Sequence, residues 1–226
     1  PKLAGVDVSG QSVYCDETGG DYYDFLDFEP LGSRQLGVVI GDVVGHGIAA
    51  ALLMATTRAL LRSRVVLPGS LEQVFNDVNA HLCAGGFTGR FMTMFYLLID
   101  TEARQLRWLS AGHDPALVYN PAENAFAELE GRDVPLGLEP QWQYTEVSQN
   151  GWAAGQIIVI GTDGIWEARD RTGEMFGKER LREVTRQKAN QPSEIITRAI
   201  HDAVRTFRGT VDQQDDITLV VIKMLE

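Results

Sequence analysis

The order of strand-like and helix-like segments is the feature that most restricts what this chain can fold into. Short apolar or alternating runs, typical of strands, come in blocks, and two pairs of amphipathic helical patterns stand between the blocks. Turns of three or four residues join several neighbouring strand segments, and connections this short favour antiparallel pairing. The pattern therefore predicts an α+β fold in which two antiparallel sheets pack together and helices cover their outer faces.

The periodicities also predict where each element begins and ends. We expect the first three strands to form a meander and the four strands between Phe91 and Leu129 to pair as hairpins. Ser70 is a candidate N-cap for the second helix, with Gln73 three residues later. The predicted helices are Ile48–Arg64, Leu71–Cys83, Lys178–Gln187 and Ser193–Phe207, and the predicted strands are Val6–Tyr14, Phe25–Phe28, Leu36–Ile40, Phe91–Ile99, Gln105–Leu109, Ala116–Tyr119, Ala125–Leu129, Tyr144–Val147, Ile157–Ile160 and Ile217–Lys223.

Length and composition favour one domain over residues 1–226. The chain has 226 residues, of which 44% are hydrophobic, enough for one substantial core. Its net charge of −11 is spread without an acidic tail, which argues against a nucleic-acid-binding surface and for a protein that attracts cations. The apolar runs fall short of the roughly 20 residues that cross a bilayer, so we expect no membrane segment.

Cysteine usage and the first residues indicate the setting of the chain. Cys15 and Cys83 are the only cysteines, and a chain this large folds without staples. We therefore expect two buried thiols in a reducing, cytoplasmic compartment rather than a disulfide. The chain opens with Pro1-Lys2-Leu3, without an initiator methionine or a signal peptide, and we expect it to be a fragment of a longer protein.

Four aspartates are the main candidates for chemistry: Asp21, Asp42, Asp163 and Asp215. Three of them follow or precede an apolar run predicted to be a buried strand, so their carboxylates would lie where strands enter or leave the core. Carboxylates gathered from distant parts of a chain repel one another unless a cation compensates them, and hard divalent cations such as Mg²⁺ or Mn²⁺ prefer oxygen ligands. The sequence therefore predicts a metal site.

Taken alone, each aspartate has a simpler interpretation. Asp21 follows two glycines and is typical of a turn in which the carboxylate bonds its own backbone. Asp42 could be a helix N-cap, although the glycines and histidine around it exceed what a cap needs. Asp163 stands in a common turn, and the adjacent pair Asp215 and Asp216 is costly unless one carboxylate binds a cation or caps a turn.

Three further side chains are weaker candidates. Asp24 could bond a metal-bound water. His46 fits a proton donor or phosphate contact as well as it fits a helix-start histidine bonded to a carbonyl. His113 lies in a segment that predicts a tight loop, from Gly112 to Pro115.

Several chemistries lack their sequence signals. No serine stands in a Gly-x-Ser-x-Gly elbow, and neither cysteine shares a local motif with a histidine. The string from Gly41 to Gly47 has no lysine for a phosphate-binding loop, and the histidines and cysteines have no zinc-ligand spacing. A metal site with oxygen ligands is the possibility that remains.

Six strings, in this order and spacing, resemble the SpoIIE-like branch of the metal-dependent (PPM) protein serine/threonine phosphatases. They are GGDYYDF, IGDVVGHGIAAALLM, FMTMFYLLID, SAGHDPAL, GTDGIWEARD and QQDDITLVVIK, and they are spread along the chain from residue 19 to residue 223. The resemblance implies an αββα sandwich, two antiparallel sheets flanked by helix pairs, with a two-metal centre at one edge of the sheets.

The resemblance also implies a role for each matching position. Asp42 would bridge two Mn²⁺ or Mg²⁺ ions. Asp21 and the backbone carbonyl of Val43 would bind one ion, and Asp163 and Asp215 would bind the other.

Other positions would support or depart from the family pattern. By resemblance, Asp216 would support the loop rather than bind metal, and Thr93 and Gly164 would shape the site. Val44 stands where eukaryotic relatives carry a histidine, so His46 inherits no role from them, and no arginine precedes Asp21 to bind phosphate.

The implied function is two-metal hydrolysis of phosphoserine or phosphothreonine on a partner protein, of the anti-sigma-factor antagonist type. The chain would be the C-terminal part of a signalling protein, with an upstream sensory or receiver domain acting near the helix Ile48–Arg64. Residues 112–151 would shape substrate choice. The alternatives are a phosphatase-like scaffold that binds a phosphoprotein without hydrolysing it, a metal-dependent nuclease or phosphodiesterase, which the acidic charge disfavours, and a calcium-stabilised domain.

Overall fold

Strands and helices occur in the blocks that the sequence predicts. The computed structural model describes residues 1, 3–28, 34–87 and 89–225. Its helices are α1 (Ile48–Val65), α2 (Leu71–Ala84), α3 (Gly177–Lys188) and α4 (Ser193–Arg208). Its strands are β1 (Val6–Val13), β2 (Tyr22–Asp27), β3 (Gln35–Val43), β4 (Met92–Asp100), β5 (Gln105–Ala111), β6 (Ala116–Asn120), β7 (Ala125–Leu129), β8 (Val147–Asn150), β9 (Ile157–Gly161) and β10 (Ile217–Met224).

The strands form two five-stranded sheets, with every neighbouring pair antiparallel. One sheet has the order β1-β10-β9-β6-β7, and the other has the order β2-β3-β4-β5-β8. Alternate side chains of each strand point to opposite faces, so Val38 and Ile40 of β3 pack between the sheets, against Ile160 and Val220 of the other sheet. The intervening Val39 belongs instead to the core under α1 and α2.

Helices cover both outer faces of the sandwich. The core under α1 and α2 includes Leu53 and Phe75, and the core under α3 and α4 includes Leu181 and Ile200. The capping box at the start of α2 is present, with Ser70 and Gln73 bonding each other's backbone N–H. The predicted αββα sandwich is confirmed.

One prediction of strand pairing was wrong. The first three strands form no meander, because β1 pairs with β10 while β2 pairs with β3. The four strands from β4 to β7 do pair as antiparallel hairpins, β4 with β5 and β6 with β7, and the segment 112–115 carries the chain from one sheet to the other. Alternation along a strand reports which side chains are buried but does not report which strand is its neighbour.

The predicted strand Tyr144–Val147 was also wrong, because the eighth strand runs from Val147 to Asn150. Tyr144 lies in the preceding loop, where its ring packs on Phe75 at a centroid distance of 5.7 Å and its hydroxyl donates to the Pro135 carbonyl. The apolar residue that suggested a strand, Tyr144, is therefore a loop residue that packs on the core.

Both cysteines are free thiols, as expected, although each is half-buried rather than buried. Within the described ranges, no helix combines the length and the apolarity needed to cross a membrane. The start of β2 and the end of β3 lie side by side, because Tyr22 pairs with Gly41. Likewise the end of β9 lies beside the start of β10, because Gly161 pairs with Leu219.

Candidate active site

The four predicted aspartates meet at one edge of the sandwich, two from each sheet. Asp21 directly precedes β2 and Asp42 is the next to last residue of β3. Asp163 follows β9 by two residues and Asp215 precedes β10 by two. Each of the other three raises the pKa of Asp42 through its negative charge, which places all three within electrostatic range of Asp42.

Asp21 and Asp42 form the more buried pair. Burial is the main cause that raises the pKa of each carboxyl well above its usual range. A side-chain hydrogen bond with Asp21 raises the pKa of Asp42 further, and two carboxyls can share such a bond only if one carries a proton. Both carboxyls of this pair can therefore be ionised at neutral pH only when a cation is bound beside them.

Asp163 and Asp215 have raised pKa values as well. Partial loss of hydration is the largest cause for both, although Asp215 stays exposed. The charge of Asp215 is the next cause for Asp163, and the charges of the neighbouring Asp216 and Glu167 also raise the pKa of Asp215. Among the residues that the structure describes, no lysine, arginine or histidine forms an ion pair with any of the four aspartates. This donor set suits a hard divalent cation, which would supply the missing charge.

The side chains have the chemistry of a metal site, but they do not yet surround a single point. In the described part of the chain, no three His, Cys, Asp or Glu side chains converge closely enough to hold a metal ion. The backbone carbonyl of Val43 does face this edge, because a Cβ added at Gly20, next to Asp21, would lie 3.1 Å from its oxygen. Closing the site around a cation would require the carboxylates to turn toward one point and the proton between Asp21 and Asp42 to leave.

Asp216 holds the loop that carries Asp21. Its side chain is 5% exposed and accepts the backbone N–H groups of Cys15, at 2.9 Å, and of Asp21, at 3.4 Å. These bonds agree with the supporting role expected for Asp216. A side chain at Gly19 would overlap both the Asp216 carboxylate and the Tyr14 ring, so this loop conformation requires glycine there.

Gly164 allows the chain to pass close to the start of β10. A Cβ at this position would overlap the backbone carbonyl of Asp216, so only glycine lets the turn after Asp163 approach the strand that Asp215 precedes. The predicted site-shaping role of Gly164 has this physical basis.

Thr162 is a functional candidate that sequence analysis missed. Its buried hydroxyl donates to Asp21 Oδ2 at 2.8 Å and accepts the Thr218 N–H at 3.1 Å. One oxygen of Asp21 is therefore oriented by a residue of the opposite sheet. The only signal in the sequence was the hydroxyl directly before Asp163.

His113 and Thr93 connect the two sheets beneath the aspartates. His113 is buried, with Nε2 3.1 Å from the Gly161 carbonyl and Nδ1 3.0 Å from Thr93 Oγ1. Burial lowers the pKa of His113 to about 4, so the ring is neutral at pH 7. A carbonyl only accepts, so the ring proton is on Nε2, and Thr93 donates to Nδ1. Thr93 pairs with Asp42 in the sheet, which gives His113 a positioning role.

Two candidates remain. His46 is exposed, its Nδ1 is 3.4 Å from Asp16 Oδ2, and its charge lowers the pKa of Asp215, which places it near the aspartate edge. Asp24 accepts two hydrogen bonds from Arg62, each 2.6 Å, and one from the Tyr22 hydroxyl. Asp24 therefore anchors α1 on β2, and its suggested bond to a metal-bound water stays a prediction.

Comparison with known proteins identifies similar sequences over the whole chain. A family sequence model described as "Stage II sporulation protein E (SpoIIE)" matches residues 32–225. Phosphoserine phosphatase RsbU of Bacillus subtilis (strain 168) is 26% identical over 223 residues, which cover 99% of this chain and 64% of that protein. Protein IcfG of Synechocystis sp. (strain ATCC 27184 / PCC 6803 / Kazusa) is 29% identical, covering 90% of this chain and 35% of that protein. The chain thus spans less than two thirds of either relative.

Solved structures share the fold. The SiaA-PP2C domain of Pseudomonas aeruginosa superposes with a TM-score of 0.84 at 21% identity, over 96% of this chain and 85% of that one. The PP2C phosphatase domain of SpoIIE from Bacillus subtilis, solved with a fragment of its regulatory domain, gives 0.81 at 20% identity, over 99% of this chain and 64% of that one. At these identities the likeness establishes the sandwich architecture.

Proposed function

This chain belongs to the SpoIIE family, and on that premise we propose that it is a metal-dependent protein serine/threonine phosphatase. The observation that carries the proposal is the convergence of four aspartates, two from each sheet, at one edge of the sandwich. Their raised pKa values and lack of ion-pair partners in the described residues fit a site built for cations. RsbU, a relative along the whole chain, is named a phosphoserine phosphatase.

We propose that Asp21, Asp42, Asp163, Asp215 and the Val43 carbonyl hold two divalent cations, Mn²⁺ or Mg²⁺. When bound, such ions would supply a water of lowered pKa as nucleophile and neutralise charge on the phosphoryl group. The protein itself would orient the ligands. Thr162 and Asp216, which belong to the opposite sheet's strand ends, hold Asp21 and its loop in place.

The proposed substrate is a phosphoserine or phosphothreonine on a partner protein, of the anti-sigma-factor antagonist type. No phosphoenzyme is expected, because no side chain in the described site is an activated nucleophile of the serine or cysteine kind. Burial raises the pKa of Cys15 to about 11, so its thiol stays protonated at neutral pH.

The first test is release of p-nitrophenol from p-nitrophenyl phosphate with Mn²⁺, Mg²⁺, Ca²⁺ or EDTA, for wild type beside Asp163→Asn. We expect turnover that needs Mn²⁺ or Mg²⁺ and that falls by roughly two orders of magnitude in the variant. Calorimetric titration with Mn²⁺ gives a second readout, in which the variant binds fewer ions. Activity of Asp163→Asn near that of wild type would exclude this site.

The second candidate function is a scaffold that binds a phosphoprotein without hydrolysing it. It is favoured by one observation, that no three donors converge at metal-binding distance in the described residues. Phosphopeptide binding with no release of phosphate in any metal would support the scaffold, and metal-dependent release would exclude it.

We also propose that residues 1–226 form one phosphatase domain of a longer signalling protein. The partial coverage of RsbU and IcfG is consistent with additional domains. An upstream sensory or receiver domain would act through α1, where Ile48 and Leu52 are 75% and 59% exposed close to Asp42 in the chain. Equal activity of the full-length protein in every signalling state would refute this regulation.

A further inference from the structure

A basic groove runs along α4 where this helix meets β1. The groove has a volume of about 350 Å³. Its charged lining consists of Arg198, His201, Asp202, Arg205 and Arg208, all from α4. A cluster of three arginines and a histidine with one acidic residue contrasts with the net charge of −11 of the whole chain. We call this depression the α4 groove.

Two lining groups in the α4 groove lack partners. Arg208 Nε and His201 Nε2 are buried, and neither has a hydrogen-bond partner within the described residues. Arg198 and Arg205 pair with Glu194 and Asp202. The Arg208 guanidinium forms no ion pair in that part of the chain. Burial lowers the pKa of His201, and its ring bonds the Gln11 backbone, so His201 is neutral at pH 7 and its Nε2 is an acceptor. The Arg208 guanidinium is always charged, and an anionic ligand in the groove would supply its counter-charge.

The α4 groove leads to the aspartate edge. A second depression of about 150 Å³ is lined by Gly164 and Asp215, and it shares Arg208, Gln213 and Ile217 with the α4 groove. The Gln213 amide donates to the carbonyls of Val13, at 2.7 Å, and Asp215, at 2.8 Å, which fixes the wall between the two depressions. A protein whose phosphorylated residue reaches the aspartates would therefore place neighbouring residues in or beside the groove.

The dimensions of the α4 groove fit a peptide segment better than a single ion. The three arginines and the neutral His201 occupy positions 198, 201, 205 and 208, which lie on one face of a helix. At about 1.5 Å per residue they span roughly 15 Å along the helix axis. An extended peptide covers this distance with about four or five residues, and carboxylates match the forked donors of arginine.

We propose that the α4 groove binds an acidic segment of the protein substrate, beside the residue that is dephosphorylated. The inference rests on the proposed phosphatase function and adds a determinant of substrate choice outside the metal ligands. Arg208 would contribute most, because it lies between the groove and the second depression and, within the described ranges, has no carboxylate partner to give up.

The test compares two phosphoserine peptides of equal length, one with acidic residues on both sides of the phosphoserine and one with glutamine in those positions. With Mn²⁺ present, we expect Arg208→Gln to raise KM for the acidic peptide about tenfold, as for loss of a charge-assisted hydrogen bond. Arg205→Gln should raise it about threefold, as for an exposed ion pair. kcat, the KM for the neutral peptide and turnover of p-nitrophenyl phosphate should stay unchanged.

Arg104→Gln is the matched control, because Arg104 is exposed and lines neither depression. The charge reversal Arg205→Glu provides a second variant on an exposed position and should abolish the preference for the acidic peptide. Thermal unfolding checks that each variant is folded. Equal KM values of wild type for the two peptides, or an equal loss on all substrates including p-nitrophenyl phosphate, would overturn the inference.

A binding measurement separates failure of this inference from failure of the proposed function. Fluorescence anisotropy of the labelled acidic peptide, with serine in place of phosphoserine and EDTA present, reports groove binding without turnover. Binding weakened by Arg208→Gln and by salt, in a protein that hydrolyses nothing, would support the groove and refute the phosphatase. Hydrolysis without any discrimination between the peptides would refute the groove and leave the phosphatase intact.

Discussion

The two sheets contribute two aspartates each to the candidate site, but they hold them differently. Asp21, before β2, is 2% exposed, and it receives the Thr162 hydroxyl on its carboxylate while Asp216 accepts its backbone N–H. Asp215, before β10, is exposed, and its carboxylate accepts the backbone N–H of its neighbour Asp216. One half of the site is fixed by contacts from the opposite sheet, and the other half is held locally.

This difference indicates how the site closes around cations. Asp21 cannot turn without breaking a buried hydrogen bond, whereas Asp215 can turn at little cost. We therefore expect the side chains after β9 and before β10 to move toward a bound ion, and those at β2 and β3 to stay in place. The α4 groove adjoins the movable half, since Asp215 lines the depression next to it.

The largest effect is expected from removing a charge in the fixed half. Asp42→Asn should lower kcat by about a thousandfold, and Asp215→Asn should lower it by about ten- to a hundredfold, because Asp215 would bind one ion from an exposed position. Without metal, Asp42→Asn should also raise the melting temperature, by about 3 °C per kcal/mol of repulsion relieved. Turnover with saturating Mn²⁺ and thermal unfolding in EDTA test the two effects.

A result in which Asp215→Asn is as damaging as Asp42→Asn would break the distinction between the halves. A lower melting temperature of Asp42→Asn in EDTA would show that the carboxylate stabilises the fold rather than strains it.

A smaller effect is expected from loosening Asp21 without removing its charge. Thr162→Val deletes the hydroxyl that bonds Asp21 and should raise the Mn²⁺ concentration for half-maximal activity about tenfold, as for other residues that orient metal ligands. Thr162→Ser keeps the hydroxyl and should restore the wild-type requirement. Thr197→Val is the matched control, since that buried hydroxyl bonds only the Ser193 carbonyl within α4.

Mn²⁺ titrations of activity for the three variants decide the matter. If Thr162→Val and Thr197→Val need equal Mn²⁺ concentrations, the bond to Asp21 has no role in positioning it.

The sequence predicted the positions of the aspartates because their causes are local. A buried apolar run followed by Asp163, or preceded by Asp215, places a carboxylate at a strand end whatever its neighbour is. The cross-sheet contacts could not be predicted this way. The bond between Thr162 and Asp21 joins residues 141 positions apart, from the end of β9 in one sheet to the start of β2 in the other, and alternation gives no signal for which strand ends meet.

The smallest effect concerns His113, which bonds Thr93 of one sheet and Gly161 of the other. Burial lowers the pKa of His113 to about 4, from the usual 6.5. Between these values the unfolded chain takes up a proton that the folded protein excludes, so this stability is complete above pH 6.5 and is lost as the pH falls toward 4. The expected loss is at most about 3 kcal/mol.

His113→Gln should remove this acid sensitivity, because the amide can still donate to the Gly161 carbonyl and accept from Thr93 but does not titrate in this range. Urea unfolding in EDTA between pH 4.5 and 7.5 gives the free energy of unfolding of both proteins, and their difference cancels the carboxylates that the two share. The exposed His81 serves as control through His81→Gln, which should follow wild type. If His113→Gln loses stability with acid as steeply as wild type, the lowered pKa of His113 is not the cause of the acid sensitivity.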